Sequence, residues 1–459
     1  MKHTYVLLQN AYGTPEMRKV WTEENVVQKW LDVEVALTRA NAEVGIIPRE
    51  ASDEICAKST VKHLTPEMIG RFKADAGHLI VSFIKAFADM CGPAGEYYHV
   101  GPTTQDILDT GLTLQIKEAY QLLLNDLYRL EGVLVNLAQK HRDTVMMGRT
   151  HGQHAVPVTF GFKVAVWATE IRDHIERLKE LSKRLFVANV SAACGTMNTF
   201  TYLVGAEKAR WIQKRVAEEL GLGCPVADTH QRTDRFAEFV NTLALLVSTL
   251  GEMGLEIRDL QRTEVQEVEE PFDSDKQYSS STMPNKRNPE PSEWQEGLAK
   301  IARANAAALM DIQMQHERDA TRMAVEFSCI PETCLVAHAA VKQAIRIFSG
   351  LRVNAERMRQ NLYAQKDISM AELVMLKLYQ KTGKKVTAHR MVHDISMKAF
   401  ETGKSLKEVM TEAPEFAGLL SPEEVEEITN PETYYGNAPQ QVDEVVAFLR
   451  GKRLSEGIE

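Results

Sequence analysis

The sequence predicts an all-α protein, on three observations. Apolar residues recur at steps of three and four through several long stretches. Alternating runs longer than about five residues, the mark of a strand, are missing. Gly and Pro gather at a few places, as they do between helices. The first helix is predicted from Thr22, a plausible N-cap, through the seam Val26, Trp30, Val33, Leu37, Ala40 and Val44, and is stopped by Gly45 and Pro48. A second seam runs Leu112, Ile116, Ala119, Leu123, Leu127, Leu130, Leu134 and Leu137. A third runs Trp167, Ile171, Ile175, Leu178, Leu181 and Leu185, and a fourth occupies the stretch from Phe236 to Val268. Helices of about 25–30 residues span about 40 Å, more than one globular domain needs. Such lengths suit an elongated bundle whose side stripes are buried by other subunits.

Breakers divide the chain. One lies at residues 91–106, CGPAGEYYHVGPTTQD, and a second at the polar stretch from Glu269 to Pro291. Beyond Leu351 shorter helices follow, with Gly383, Gly403 and Pro431. The expected division is an N-terminal helical domain over 1–110, a central long-helix bundle over 111–352 and a small C-terminal helical domain over 353–459. The central bundle carries a loop at 273–290.

Composition narrows the function. The 459 residues suffice for large cores, and 44% hydrophobic with 25% charged residues is ordinary for a globular chain. With 54 Lys+Arg against 63 Asp+Glu the net charge is −9, which argues against non-specific nucleic-acid or anionic-membrane binding. Cysteines at 56, 91, 194, 224, 329 and 334 form no CxxC pair, so reduced, buried thiols in a cytoplasmic protein are expected. The N-terminal apolar run is too short for a secretion signal. Leu243 to Ile257, interrupted by Glu252, falls short of a membrane span.

Five segments could carry chemistry. In SSSTMPNKRNP, Ser280 and its neighbours supply hydroxyls, Lys286 and Arg287 positive charge and Asn288 an amide. That set suits carboxylate binding beside a hydroxyl placed for proton transfer, although a solvated loop has the same composition. GRTHGQHAVPVTFG, residues 148–161, places Arg149, Thr150, His151 and His154 in a turn before a helix starting near Thr159. Two imidazoles there serve acid–base work or simply hydrogen-bond within the turn; as metal ligands they lack partners. Thr103 and Thr104 in HVGPTTQD can bind a carboxylate or cap a helix. His78 lies on an apolar stretch, where a core histidine is the bland reading. QHERDATR holds Arg318 and Arg322, its bland reading being a charged helix face.

Together these segments resemble the fumarase/aspartase superfamily, whose signature GSSxMPxKxNP is similar to SSSTMPNKRNP. The order of HVGPTTQD, GRTHGQHA, EIRDLQRTEVQEVEEPF, the signature and HERD extends the resemblance along most of the chain. The tail, GKKVTAHRMVHDISMKAFETGKSLKEVM with NPETYYGNAPQQVDEVV, is similar to the branch of adenylosuccinate lyase and 3-carboxy-cis,cis-muconate cycloisomerase. The resemblance implies an all-helical homotetramer with a shared twenty-helix core and active sites built from three subunits. It implies β-elimination from a small anionic dicarboxylate, releasing fumarate, with no metal or organic cofactor. By matching position, Ser280 is the base, His151 the acid and His78 an assisting histidine. Thr103, Thr104, Lys286 and Asn288 match ligands of substrate carboxylates; Arg149, Thr150 and Arg318 are expected to join them.

Several positions depart from adenylosuccinate lyases. Ala11 stands for an Arg before Tyr12, and Met323 and Phe327 stand for a Ser and an Arg that bind the nucleotide phosphate. TDRF, Thr233 to Phe236, stands for RDRH, Asn285 for His, and Ser279 for the signature Gly. A phosphate would lose several charge-assisted hydrogen bonds. The expected reaction is therefore C–N cleavage of an N-succinyl substrate with a leaving group other than AMP. The alternatives are adenylosuccinate lyase using Arg318 or Arg322 as anchors, a lactonising cycloisomerase, and a catalytically silent structural member.

Overall fold

The computed structural model describes residues 12–227, 229–230, 232–277, 280–314 and 317–458, without the side chains of 74–76 and 314. Ala11, Ser279 and the His of HERD, all singled out in the sequence, lie outside them. The described chain is all-α, with two two-stranded sheets. It divides into two compact units, each discontinuous in sequence: 1–127 with 174–250 and 297–342, and 128–173 with 251–296 and 343–459.

In the first unit the Glu23–Val44 helix forms as its sequence dictates. The Thr22 side chain accepts the Asn25 N–H, and Gly45 closes the helix at φ 85°, a conformation glycine adopts without steric cost. Trp30, Val33, Leu37 and Ala40 are buried, and with Phe83, Phe87, Ile107 and Phe200 they share one core. The longest helix, Thr104–Lys140, buries all eight positions of its apolar seam. All six positions of the third seam are buried along Phe160–Leu185.

The fourth helix is shorter than its apolar pattern. It spans Asp234–Leu260; Gln266 then takes φ 57°, and Val268–Glu269 pairs as a strand with Arg352–Val353 in the second unit. Asp234–Leu260 and Thr321–Gly350 are long and apolar enough, by length and composition, to cross a membrane. Their most apolar windows are 61% and 50% buried inside the protein, since a central bundle helix is apolar on most faces. Counting only the run broken by Glu252 concealed this. All six cysteines are free, but only Cys91 and Cys334 are buried, and Cys194 is exposed. The second unit has its own small core among the C-terminal helices, built around Val374, Leu378, Val392, Leu406 and Phe416.

Residues 145–159 correct the sequence expectation of a turn. They form a hairpin of Val145–Thr150 and Gln153–Thr159, with the helix starting at Phe160. His151 and Gly152 make the two-residue connection, both with positive φ, 56° and 72°. That matches the twist of paired strands. A bulge falls at Gly148, where a Cβ would come within 2.5 Å of the Val156 carbonyl oxygen. Gly, Pro157 and polar residues erase the alternation that announces a strand.

Candidate active site

In the first unit the Thr103–Thr104 turn opens the Thr104–Lys140 helix. Asp106, at the third helical position, accepts the Thr103 N–H at 2.8 Å, half of a capping box. Its carboxylate also accepts the N–H groups of Ser191 and Ala192 at 2.8 and 3.1 Å. His78 is exposed at the N-cap position of the Leu79–Cys91 helix, so it is no core histidine. Its carbonyl accepts the Ser82 hydroxyl at 2.9 Å. Arg318 is half-buried, and its Nη1 is buried with no hydrogen-bond partner among the described residues. A buried guanidinium nitrogen left open is a place for an anion.

Behind these residues lies a charged cluster that sequence reading missed. His230 Nε2 stands 3.1 Å from Asp106, and its Nδ1 stands 3.2 Å from Asp109 and 3.0 Å from the Asn189 amide. Arg322 donates to Asp109 and to the His230 carbonyl, and lies 3.5 Å from Glu326. Burial opposes a charge on His230, but its hydrogen bonds to the two aspartates push its pKa up to about 9. Burial raises the Glu326 carboxyl to about 8 despite Arg322 beside it, so it holds its proton at neutral pH. Asp106 and Asp109 then face the His230 imidazolium and the Arg322 guanidinium, with the buried Arg235 cation also acting on Glu326. Arg322 is 1% exposed and engaged with Asp109, unlike Glu317 and Asp319 of the same charged stretch, which are exposed. The Asp-x-x-Asp spacing after Thr104 was the one available signal.

In the second unit the hairpin tip presents His151, exposed, beside Thr150, also exposed. Arg149 makes a two-pronged pair with Glu267 at 2.6 and 2.9 Å. Glu267 is fully buried and also accepts from Asn361 at 2.8 Å. Arg149 thereby ties the hairpin to the segment leading into the signature loop. His154, beside Arg149, has its pKa lowered, first by burial and then by that cation.

The signature loop is anchored at its ends. Arg287 pairs with Glu269 at 2.8 Å and covers the Phe272 ring, while Glu270, buried, accepts the Ser292 N–H at 2.9 Å. Between them Ser280 Oγ accepts two backbone N–H groups, from Met283 at 2.9 Å and Thr282 at 3.3 Å. Donors aimed at a hydroxyl oxygen favour its ionised form. Lys286 is exposed and Asn288 half-buried in the same loop. The expected site residues thus fall in two sets. His78, Thr103, Thr104 and Arg318 belong to one unit; Arg149, Thr150, His151, Ser280, Lys286 and Asn288 belong to the other.

A family model described as "Lyase" matches residues 10–303, and one described as "Adenylosuccinate lyase C-terminus" matches residues 367–445. The adenylosuccinate lyase of Methanocaldococcus jannaschii is 44% identical, with 96% of this chain and 95% of that protein covered. The N-acetyl-S-(2-succino)cysteine lyase of Dickeya dadantii is 38% identical, with 98% of each covered. The crystal structure of 3-carboxy-cis,cis-muconate lactonizing enzyme from Pseudomonas putida superposes with TM-score 0.88 at 33% identity, covering 97% of this chain and 99% of that one. With family models spanning most of its length and full-length relatives on several sides, the chain belongs to the lyases of the fumarase/aspartase superfamily, in the branch of adenylosuccinate lyase.

Proposed function

We propose that this lyase removes the amine substituent of an N-succinyl compound, an N-substituted aspartate, releasing fumarate. The amine carries no phosphate. Ser280 takes the proton from the carbon next to a carboxylate, and the C–H pair becomes the double bond. The C–N pair leaves on nitrogen, which takes a proton from His151, with His78 assisting. Proton removal loads extra negative charge onto the neighbouring carboxylate. Lys286, Asn288, Thr103, Thr104, Thr150 and Arg318 bind the carboxylates and stabilise that charge more than the ground state. Arg149, paired with Glu267, holds the His151 turn in place. Closure of the loop over substrate excludes water and makes a serine base workable. The site is completed by three subunits of a cytoplasmic homotetramer whose shared core is built from the 111–352 helices.

The feature that carries the leaving group is Phe327, a half-exposed aromatic where the family resemblance implies an arginine that binds phosphate. A second reading, C–S cleavage, is supported by the Dickeya relative, whose name places a succinyl group on sulfur. The test offers adenylosuccinate, N-alkylaspartates and S-(2-succino)cysteine in parallel and follows fumarate absorbance. Losing two charge-assisted hydrogen bonds puts adenylosuccinate about 100-fold behind the best unphosphorylated substrate in kcat/KM. Adenylosuccinate as the preferred substrate overturns the proposal. Preference for the thioether moves the cleaved bond to C–S.

A further inference from the structure

The first unit holds a cavity of about 380 Å³ with apolar walls. Trp21, Val26 and Trp30 form one side, Leu108 and Leu112 another, and Phe327 a third. Its walls continue the elements that carry the expected site residues of this unit. Leu79 follows His78 in the chain and lines the cavity. Leu108 and Leu112 follow Thr104 at four-residue steps, on one face of the same helix. Phe327 stands on the helix that begins three residues after Arg318. Leu79 and Phe327 are 47% and 44% exposed, so two large apolar side chains of the lining are open to a ligand.

The charges on the lining are Glu23 and Lys73, both exposed and of opposite sign, so there is no cluster of cations to hold a phosphate. Trp21 Nε1 is buried without a hydrogen-bond partner among the described residues, which leaves one donor in the wall. Roughly 150 Å³ of dry cavity is enough to admit benzene, so this one takes a phenyl ring or a branched alkyl chain with room for its linker.

We infer that this cavity binds the leaving-group side of the substrate, and that the group is apolar: an alkyl or arylalkyl amine or thiol, with Phe327 and Leu79 as specificity-determining residues. The inference rests on the succinyl elimination proposed above. It names what that reaction releases.

The test measures kcat/KM for fumarate release from aspartates bearing N-methyl, N-butyl and N-benzyl groups, and from the matching S-linked succinates. Transfer of each methylene from water to an apolar wall raises kcat/KM about fourfold until the cavity is full. Phe327→Ser and Leu79→Ser each lower the benzyl-to-methyl ratio about tenfold, and a ratio is insensitive to general loss of folded enzyme. Fumarate released at equal rates across the series, or a ratio unmoved in both variants, overturns the inference and leaves the elimination standing. If no member of either series yields fumarate, the elimination fails instead. The cavity is then read directly: benzylamine should change tryptophan emission in a saturable way in the wild type and weakly in Phe327→Ser. Identical titrations of the two proteins overturn the cavity assignment as well.

Discussion

Ser280→Ala lowers kcat for fumarate release about 10³-fold and leaves the thermal midpoint unchanged. The size follows from removing a proton-transfer group from the reaction. The stability follows from where the hydroxyl bonds: to the N–H groups of Thr282 and Met283, within its own exposed loop. The same two donors would support the proposed role of Ser280 as base. They lower the energy of the alkoxide before substrate arrives, and the Lys286 cation is carried six residues away on the same loop. Ser281→Ala, at the exposed neighbour, is the matched control and retains most of the activity. Wild-type turnover by Ser280→Ala would remove it as the base. A lowered thermal midpoint would show that the loop has a second, structural duty.

Arg322→Met has the largest expected effect on stability, a loss of about 3–5 kcal/mol in denaturant unfolding, as is usual when one partner of a buried ion pair is removed. Asp109 would be left 2% exposed with its guanidinium gone, facing Gln105, Asn189 and His230. Pairing Arg322→Met with Asp109→Asn should cost less than the sum of the singles, because neutralising the aspartate removes the orphaned charge. Strict additivity would mean that the two groups do not interact.

The pH dependence of the same cluster has a definite sign. His230 binds its proton more tightly folded, with a pKa of about 9, than unfolded near 6.5. Its contribution is therefore full below about pH 6.5 and is lost as pH rises through about 9. Unfolding free energy measured from pH 6 to pH 10 falls in the wild type; Glu326, raised to about 8, adds to the fall below pH 8, so His230→Gln makes the slope shallower. Equal slopes in the two proteins would place the titration elsewhere.

The helices were legible because burial follows the 3.6-residue period. Leu112 to Leu137 all face inward, as their spacing requires. The hairpin at 145–159 was not, since its pairing depends on a bulge at Gly148 and two positive-φ residues rather than on alternation. Of the site, the hydroxyl and cation of the signature loop were readable as chemistry. The clamp on Arg149 was not, because Glu267 is 118 residues away and nothing local marks it as buried. His230 escaped for the same reason: it lies in a turn while its aspartates lie on a helix, and proximity across 121 residues leaves no trace in spacing. Arg322 misled because a charged stretch looks the same whether a given residue faces water or a buried carboxylate such as Asp109.

The chain passes between its two compact units five times, and each passage falls inside a long helix, at 127/128, 173/174, 250/251, 296/297 and 342/343. No loop is available at which one unit could be cut free. Neither can be inherited, swapped or trimmed as a module, and a deletion that spares one must sever helices belonging to the other. On the inference drawn from the apolar cavity, a new substrate would be accommodated by exchanging wall residues such as Phe327 instead of by recruiting another domain.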